Sequence, residues 1–253
     1  MPHNQEHSVC MQLSKFWLSG GSPNHLQWDP SLAEYDGAGV RIALLDCGIA
    51  WHLPIFRDAK LTIQDFTATN VAYDPTGHGT KIAALLAAQD EQFFSGLVPN
   101  AELLVAKVLD ASAQRQNTAN AIAKGLLWAV QNGAQIIALP LGRAEPHPAI
   151  AEAVEYAVNQ GCRLFAAAGN YGPETTLFPA TQNHVVAVSA IDRDGQPLEW
   201  CCQRSAVDLY APGHQIQSMG PDGLSTISGT SPATVIAAGV EALRLSAQHK
   251  TIK

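Results

Sequence analysis

The chain is poor in basic residues. Fifteen Lys and Arg stand against 22 Asp and Glu in 253 residues, giving a formal net charge of −7, and no Lys/Arg block occurs. That charge balance argues against nucleic acid or an anionic membrane surface as a partner. Long apolar runs are also missing, so no segment has the length needed to cross a bilayer. The first twenty residues, MPHNQEHSVCMQLSKFWLSG, lack the basic start and the apolar run of about 7–15 residues that mark a secretory signal. Five cysteines is an odd number, and none stands in C-x-x-C spacing. The expectation is reduced, mostly buried thiols in a cytoplasmic protein. No H-E-x-x-H is present, which disfavours a metalloprotease. Gly37-Ala38-Gly39 precedes a strand instead of following one, the wrong context for a dinucleotide loop. No repeat or low-complexity linker divides the chain.

What is present is enough apolar material for a sizeable core. Hydrophobic residues make up 47% and charged residues 15%, which excludes a disordered chain. Residues 1–36 show no clear periodicity and read as an irregular arm laid on the surface; from Gly37 to residue 253 the pattern is regular. Short apolar runs at 40–45, 103–109, 134–139, 162–168 and 185–191 read as buried strands. Segments 78–89, 117–131, 148–159 and 230–247 have helical spacing. Strands alternating with helices imply an α/β fold in three layers, with a largely parallel sheet covered by helices on both faces.

In such sheets, sites form at the carboxyl ends of the strands. Asp46 ends the first apolar strand, where a carboxylate is costly unless paired or hydrogen-bonded. His78 opens a helix within Thr76-Gly77-His78-Gly79-Thr80, and the flanking glycines leave the imidazole unshielded. Ser231 stands just before the last helix in Gly229-Thr230-Ser231-Pro232-Ala233, with Pro232 suited to the first helical turn. Singly, these are ordinary turn or capping residues. Together, the order Asp, His, Ser with these flanks is far more specific.

These residues place the sequence close to a known family: from about Gly37 to Leu245 it resembles the subtilisin-like serine proteases (subtilases). The segment from Val40 to Ile49, Gly77-His78-Gly79-Thr80, and Gly229-Thr230-Ser231-Pro232-Ala233-Thr234 carry the resemblance. Ala166-Ala167-Ala168-Gly169-Asn170, Pro99, Lys107-Val108-Leu109 and Ala211-Pro212-Gly213 support it. The resemblance implies a subtilisin-like peptidase domain over 37–253. It implies Ser231 as nucleophile, His78 as general base and then acid, Asp46 as its orienting partner, and Asn170 as a side-chain donor to the oxyanion. No cofactor is implied.

The family binds a peptide or protein substrate in extended conformation, as a strand added between two edges. Leu139, Pro140, Leu141 and Gly142 match the first edge; Arg115, Gln116 and Asn117 match the second. Ala167, Ala168 and Gly169 match a wall of the pocket for the residue before the cleaved bond. Leu177 falls at that pocket's floor, where it implies small or medium uncharged residues.

Several positions depart from the family pattern. Pro232 replaces a common Met, Val235 and Ile236 stand where Pro and His are typical, Lys81 replaces a His, Pro140 a Ser, and Cys47 a Ser or Thr. No metal is expected. Asp192-Arg193-Asp194-Gly195 has Gln203 at the twelfth position where a calcium loop needs Glu, and a hairpin Asp-Gly turn explains it better. The short stretch before Gly37 matches the layout of intracellular members that trim precursor peptides. The reading is a serine endopeptidase for limited processing. General turnover is a neighbouring alternative, and a peptide-binding module without turnover comes from a different class. The oligomeric state is left open.

Overall fold

The computed structural model describes residues 9–10, 13, 24–67, 69, 71–90, 94–110 and 115–251, with the backbone alone at 115–117 and 251. Seven strands form one parallel sheet in the order β2-β5-β1-β6-β7-β8-β9. They are β1 (Arg41–Asp46), β2 (Lys60–Asp65), β5 (Glu102–Lys107), β6 (Ile136–Leu139), β7 (Arg163–Ala167), β8 (Val185–Ile191) and β9 (Leu209–Pro212). β3 (Gln89–Asp90) pairs with β4 (Phe94–Ser95), and β10 (Ile216–Gly220) with β11 (Gly223–Ile227), as separate antiparallel pairs. Among the described residues, 9–10 and 13 are helical, and the longer helices are α1 (His78–Ala87), α2 (Arg115–Gln131), α3 (Pro148–Asn159) and α4 (Thr230–Thr251).

The alternation of side chains along β1 explains the layers. Ile42 and Leu44 pack into one core with Ile82 and Leu85 of α1 and Val235 and Ile236 of α4. Ala43 and Leu45 face the other way, onto Ile122 and Leu126 of α2 and Ile150 and Val154 of α3. This interior strand is therefore apolar on both faces. The expected α/β architecture is the observed one, with α1 and α4 on one face of the sheet and α2 and α3 on the other.

The amino-terminal region differs from the surface arm expected. Val9 and Leu13 are fully buried, and Leu26 and Leu32 join the core under α1 and α4. Residues 24–26 also extend the sheet beyond β9: Tyr210 N–H donates to the Asn24 carbonyl at 2.8 Å, and Leu26 N–H to the Tyr210 carbonyl at 2.7 Å. A 3-10 turn, Pro30–Glu34, follows and is capped by the Asp29 carboxylate. Val9 and Leu13 stand one helical turn apart in helical backbone, while Leu26 and Leu32 follow at wider, irregular intervals, so the segment as a whole carries too few apolar residues for a clear period.

Candidate active site

The carboxyl ends of neighbouring strands β1 and β6 bring the candidate residues to one place. Asp46 is the last residue of β1 and is fully buried. Its Oδ1 accepts from the Cys47 N–H at 2.7 Å and from His78 Nδ1 at 2.9 Å. A carboxylate only accepts, so Nδ1 carries the proton and a neutral His78 keeps its lone pair on Nε2. Gly79 makes the approach feasible: a Cβ there would collide with the Gly48 carbonyl and stand 3.3 Å from the Asp46 carboxyl. Burial works against a charged imidazole. The charge and hydrogen bond of Asp46, with Asp74 beyond it, outweigh burial and the nearby Lys81, and hold His78 above the ordinary histidine value.

Asp74, which the sequence reading passed over, shapes the turn that presents His78. It is buried, yet both oxygens are used. Oδ1 accepts from Thr76 N–H, Thr76 Oγ1 and Gly77 N–H, each at 2.9 Å, and from Cys47 Sγ at 3.1 Å. Oδ2 accepts from Thr80 N–H at 2.8 Å and Thr80 Oγ1 at 2.7 Å. Burial pushes the carboxyl towards its neutral form, but these donors, Thr80 foremost, hold it below the usual carboxylate range. The charge also sits at the positive end of α1. Behind it, Lys107 at the end of β5 donates to the Val71 and Tyr73 carbonyls at 2.8 and 3.0 Å, fastening the chain that leads into Asp74. An Asp in Asp74-Pro75-Thr76-Gly77, ahead of a helix, is a turn-and-cap signature that could have flagged it.

Ser231 lies in the first turn of α4, and its Oγ donates to the Pro140 carbonyl at 3.0 Å. Pro140 follows β6, the strand beside β1. The structure thus joins Asp46 to His78 directly and sets Ser231 at the adjacent strand end, with its hydroxyl on Pro140. Asn170 follows β7 after Gly169. Its Oδ1 accepts from Thr230 N–H at 3.0 Å and Cys201 Sγ at 3.2 Å. The whole amide lies against Gly229: a Cβ on that glycine would stand 2.9 Å from Nδ2 and 3.0 Å from Oδ1. The donating end of the amide is opposite the end that serves Thr230 and Cys201, and the amide packs against Gly229, two residues before Ser231.

Leu139 and Leu141 bury their side chains in the core under α2 and α3, so only their backbone is available on this edge. Leu177 is buried and lies between Gly142 and Gly169: a Cβ on either glycine would come within 2.8 Å of it. Its N–H donates to the Ala168 carbonyl at 2.8 Å. Segments 139–142 and 167–169 therefore flank one space, and Leu177 occupies it. Arg115, Gln116 and Asn117 depart from expectation. They form the first turn of α2 and not an extended edge, because no Pro, Gly or β-branched residue breaks the helix ahead of Thr118; their side chains, and Gln114, lie outside the described residues.

Among the described residues, Asp46, Cys47 and His78 bring possible metal ligand atoms within 4.8 Å of one another. Those atoms are already engaged with each other and with Asp74, and burial and the Asp46 charge push the Cys47 thiol up, against the thiolate form a metal needs. The Asp192 carboxylate accepts from the N–H groups of Asp194 and Gln196, both at 2.9 Å, as a turn residue does.

Residues 37–252 match the model of the family described as the subtilase family, Peptidase_S8. The chain is 35% identical over 210 residues to an alkaline protease of Alkalihalobacillus alcalophilus, covering 82% of this chain and 54% of that protein. It is 34% identical over 223 residues to thermitase of Thermoactinomyces vulgaris, covering 87% and 78%. The chain thus spans about half the length of the alkaline protease it matches. Among solved structures, the prenylagaramide maturation protease PagA superposes with a TM-score of 0.77 at 28% identity, over 95% of this chain and 82% of that one. The patellamide maturation protease PatA gives 0.77 at 32% identity, over 85% and 81%.

Proposed function

The chain belongs to the subtilase family, and from that premise we propose that it is a serine endopeptidase acting through Asp46, His78 and Ser231. The observation that carries this is the Asp46 Oδ1–His78 Nδ1 hydrogen bond of 2.9 Å at the strand end beside the one that holds Ser231. His78 Nε2 takes the Ser231 hydroxyl proton as Oγ attacks the scissile carbonyl carbon. The carbonyl oxygen becomes an oxyanion, stabilised by Asn170 Nδ2 and the amino-terminal end of α4. Collapse expels the amine, which receives the proton from His78, and leaves an acyl ester on Ser231. Water, deprotonated by His78, then hydrolyses the ester and regenerates the hydroxyl.

The substrate proposed is a peptide or protein precursor cut at a limited number of bonds, bound extended along 139–142. Two solved structures like this one are named as maturation proteases, which supports processing over general turnover. Leu177 between Gly142 and Gly169 supports a small uncharged residue before the cleaved bond. A reducing compartment such as the cytoplasm fits five cysteines of which none is paired. The second reading, a peptide-binding module without turnover, is favoured by one observation: the Ser231 hydroxyl is bonded to Pro140 and not to the imidazole. Substrate-free sites often tighten only when substrate binds, so the first reading stands.

Incubation with a mixed peptide library, read by mass spectrometry, tests it. Defined cleavage products that disappear with Ser231→Ala are expected. Peptides retained but never cut by the wild type would favour the binding module.

A further inference from the structure

Cys201 and Cys202 take no part in proton transfer, yet both are fully buried beside the proposed oxyanion donor. Residues 200–202 lie along the turn 169–172 and are fastened to it at three points. Gly172 N–H donates to the Trp200 carbonyl and Cys202 N–H to the Gly169 carbonyl, each at 3.0 Å. The third bond, from Cys201 Sγ to Asn170 Oδ1 at 3.2 Å, reaches a side chain. The same Oδ1 accepts from the N–H of Thr230, the residue before Ser231.

A side-chain amide has one accepting end and one donating end, and only its partners decide which end faces where. Two donors converge on Oδ1. Rotating the amide by half a turn would set the Nδ2 hydrogens against the S–H and the Thr230 N–H. Both bonds therefore select the orientation in which Nδ2 faces away from these two donors. One bond comes from the backbone, where substitution of a side chain cannot remove it. The other depends on the residue at position 201.

We propose that the Cys201 thiol is a positioning residue for catalysis, locking the Asn170 amide so that Nδ2 faces the carbonyl oxygen attacked by Ser231. The inference rests on the serine endopeptidase reading above. Burial, and then the neighbouring Cys202, push the Cys201 thiol up to about 12, so the proton that donates to Asn170 stays on sulfur. Buried at the edge of the apolar core, the sulfur acts as a fixed donor and not as a nucleophile. An S–H bond is weak, so its effect is on orientation and a fraction of what the amide itself contributes.

A double-mutant cycle on one peptide substrate tests this, with kcat and KM measured for wild type, Cys201→Ala, Asn170→Ala, the double variant and Cys201→Ser. Loss of an oxyanion donor lowers kcat by about 10²–10³, so Cys201→Ala is expected to lower kcat by about 5–20-fold, with KM within about twofold. Cys201→Ser, which keeps a donor, is expected to recover most of that loss. In the Asn170→Ala background, Cys201→Ala should change kcat by less than about twofold, because the group it positions is gone. An equal loss in both backgrounds would make Cys201 a packing residue only, as would an unchanged kcat in Cys201→Ala, and either overturns the proposal. Melting curves accompany every variant, and Cys201→Val, apolar and of similar size, replaces the Ala variant if that one unfolds. If Asn170→Ala leaves kcat unchanged, the oxyanion assignment fails and this proposal with it. If the wild type turns over no peptide, the endopeptidase reading itself is what falls.

Discussion

Asp74 meets Thr80 twice through one oxygen: Oδ2 accepts the backbone N–H at 2.8 Å and the hydroxyl at 2.7 Å. With Oδ1 serving Thr76 and Gly77, the carboxylate ties both sides of His78 to one charge. Asp74→Ala leaves several buried donors unpaired, and is expected to lower stability by at least about 2 kcal/mol. For a domain of this size that is a fall of about 4–8 °C in Tm, read by calorimetry. Activity should fall too, since the turn orients the base. The folded carboxyl is held below its usual range, so its stabilisation is full above the ordinary carboxylate value and fades as pH falls through the folded one. Asp74→Asn should therefore flatten the acid limb of a stability–pH curve. An unchanged Tm and acid limb would contradict this role.

The pH dependence of activity follows from His78. Catalysis needs the neutral imidazole, and Asp46 favours the charged one. The acid limb of kcat/KM should therefore have its midpoint above the ordinary histidine value of about 6.5. The opposite sign applies to stability: the charged His78–Asp46 pair stabilises the fold below that value and is lost as pH rises through the folded pKa. Initial rates across pH 4.5–9 check this. A profile flat down to about pH 4.5 removes His78 as the base.

Leu177 fills the space between Gly142 and Gly169. Wild type is expected to favour small residues such as Ala before the cleaved bond. Leu177→Gly opens that space and should raise kcat/KM for Phe relative to Ala there by at least about tenfold, since each methylene accommodated in an apolar pocket is worth about 10–200-fold. A series of peptides differing at that residue alone gives the ratio. If the ratio stays fixed, Leu177 does not bound the pocket.

The layers were legible because β1 is apolar on both faces and the helices are long and rich in Ala. Asp46, His78, Ser231 and Asn170 stood out because glycines and turn residues flank them at strand and helix ends. Other features left no local trace. β2 is an edge strand whose polar and apolar residues alternate through Lys60 and Gln64, and β9 has four residues. Val9, Leu13 and Leu26 are too few and too widely spread to set a clear period before Gly37. The contact of Cys201 with Asn170 spans 31 residues, and the Ser231 hydroxyl on Pro140 spans 91. Such pairings are set by the sheet order, which the one-dimensional pattern does not contain.

Labelling the folded protein with a fluorophosphonate tests the central claim most directly, because the reagent requires an activated serine and an assembled oxyanion site. A single adduct on the peptide bearing Ser231, absent in Ser231→Ala and much slower in His78→Ala, is the expected result. Folded protein that takes no adduct, or takes one at another serine, would contradict an endopeptidase built on Asp46, His78 and Ser231.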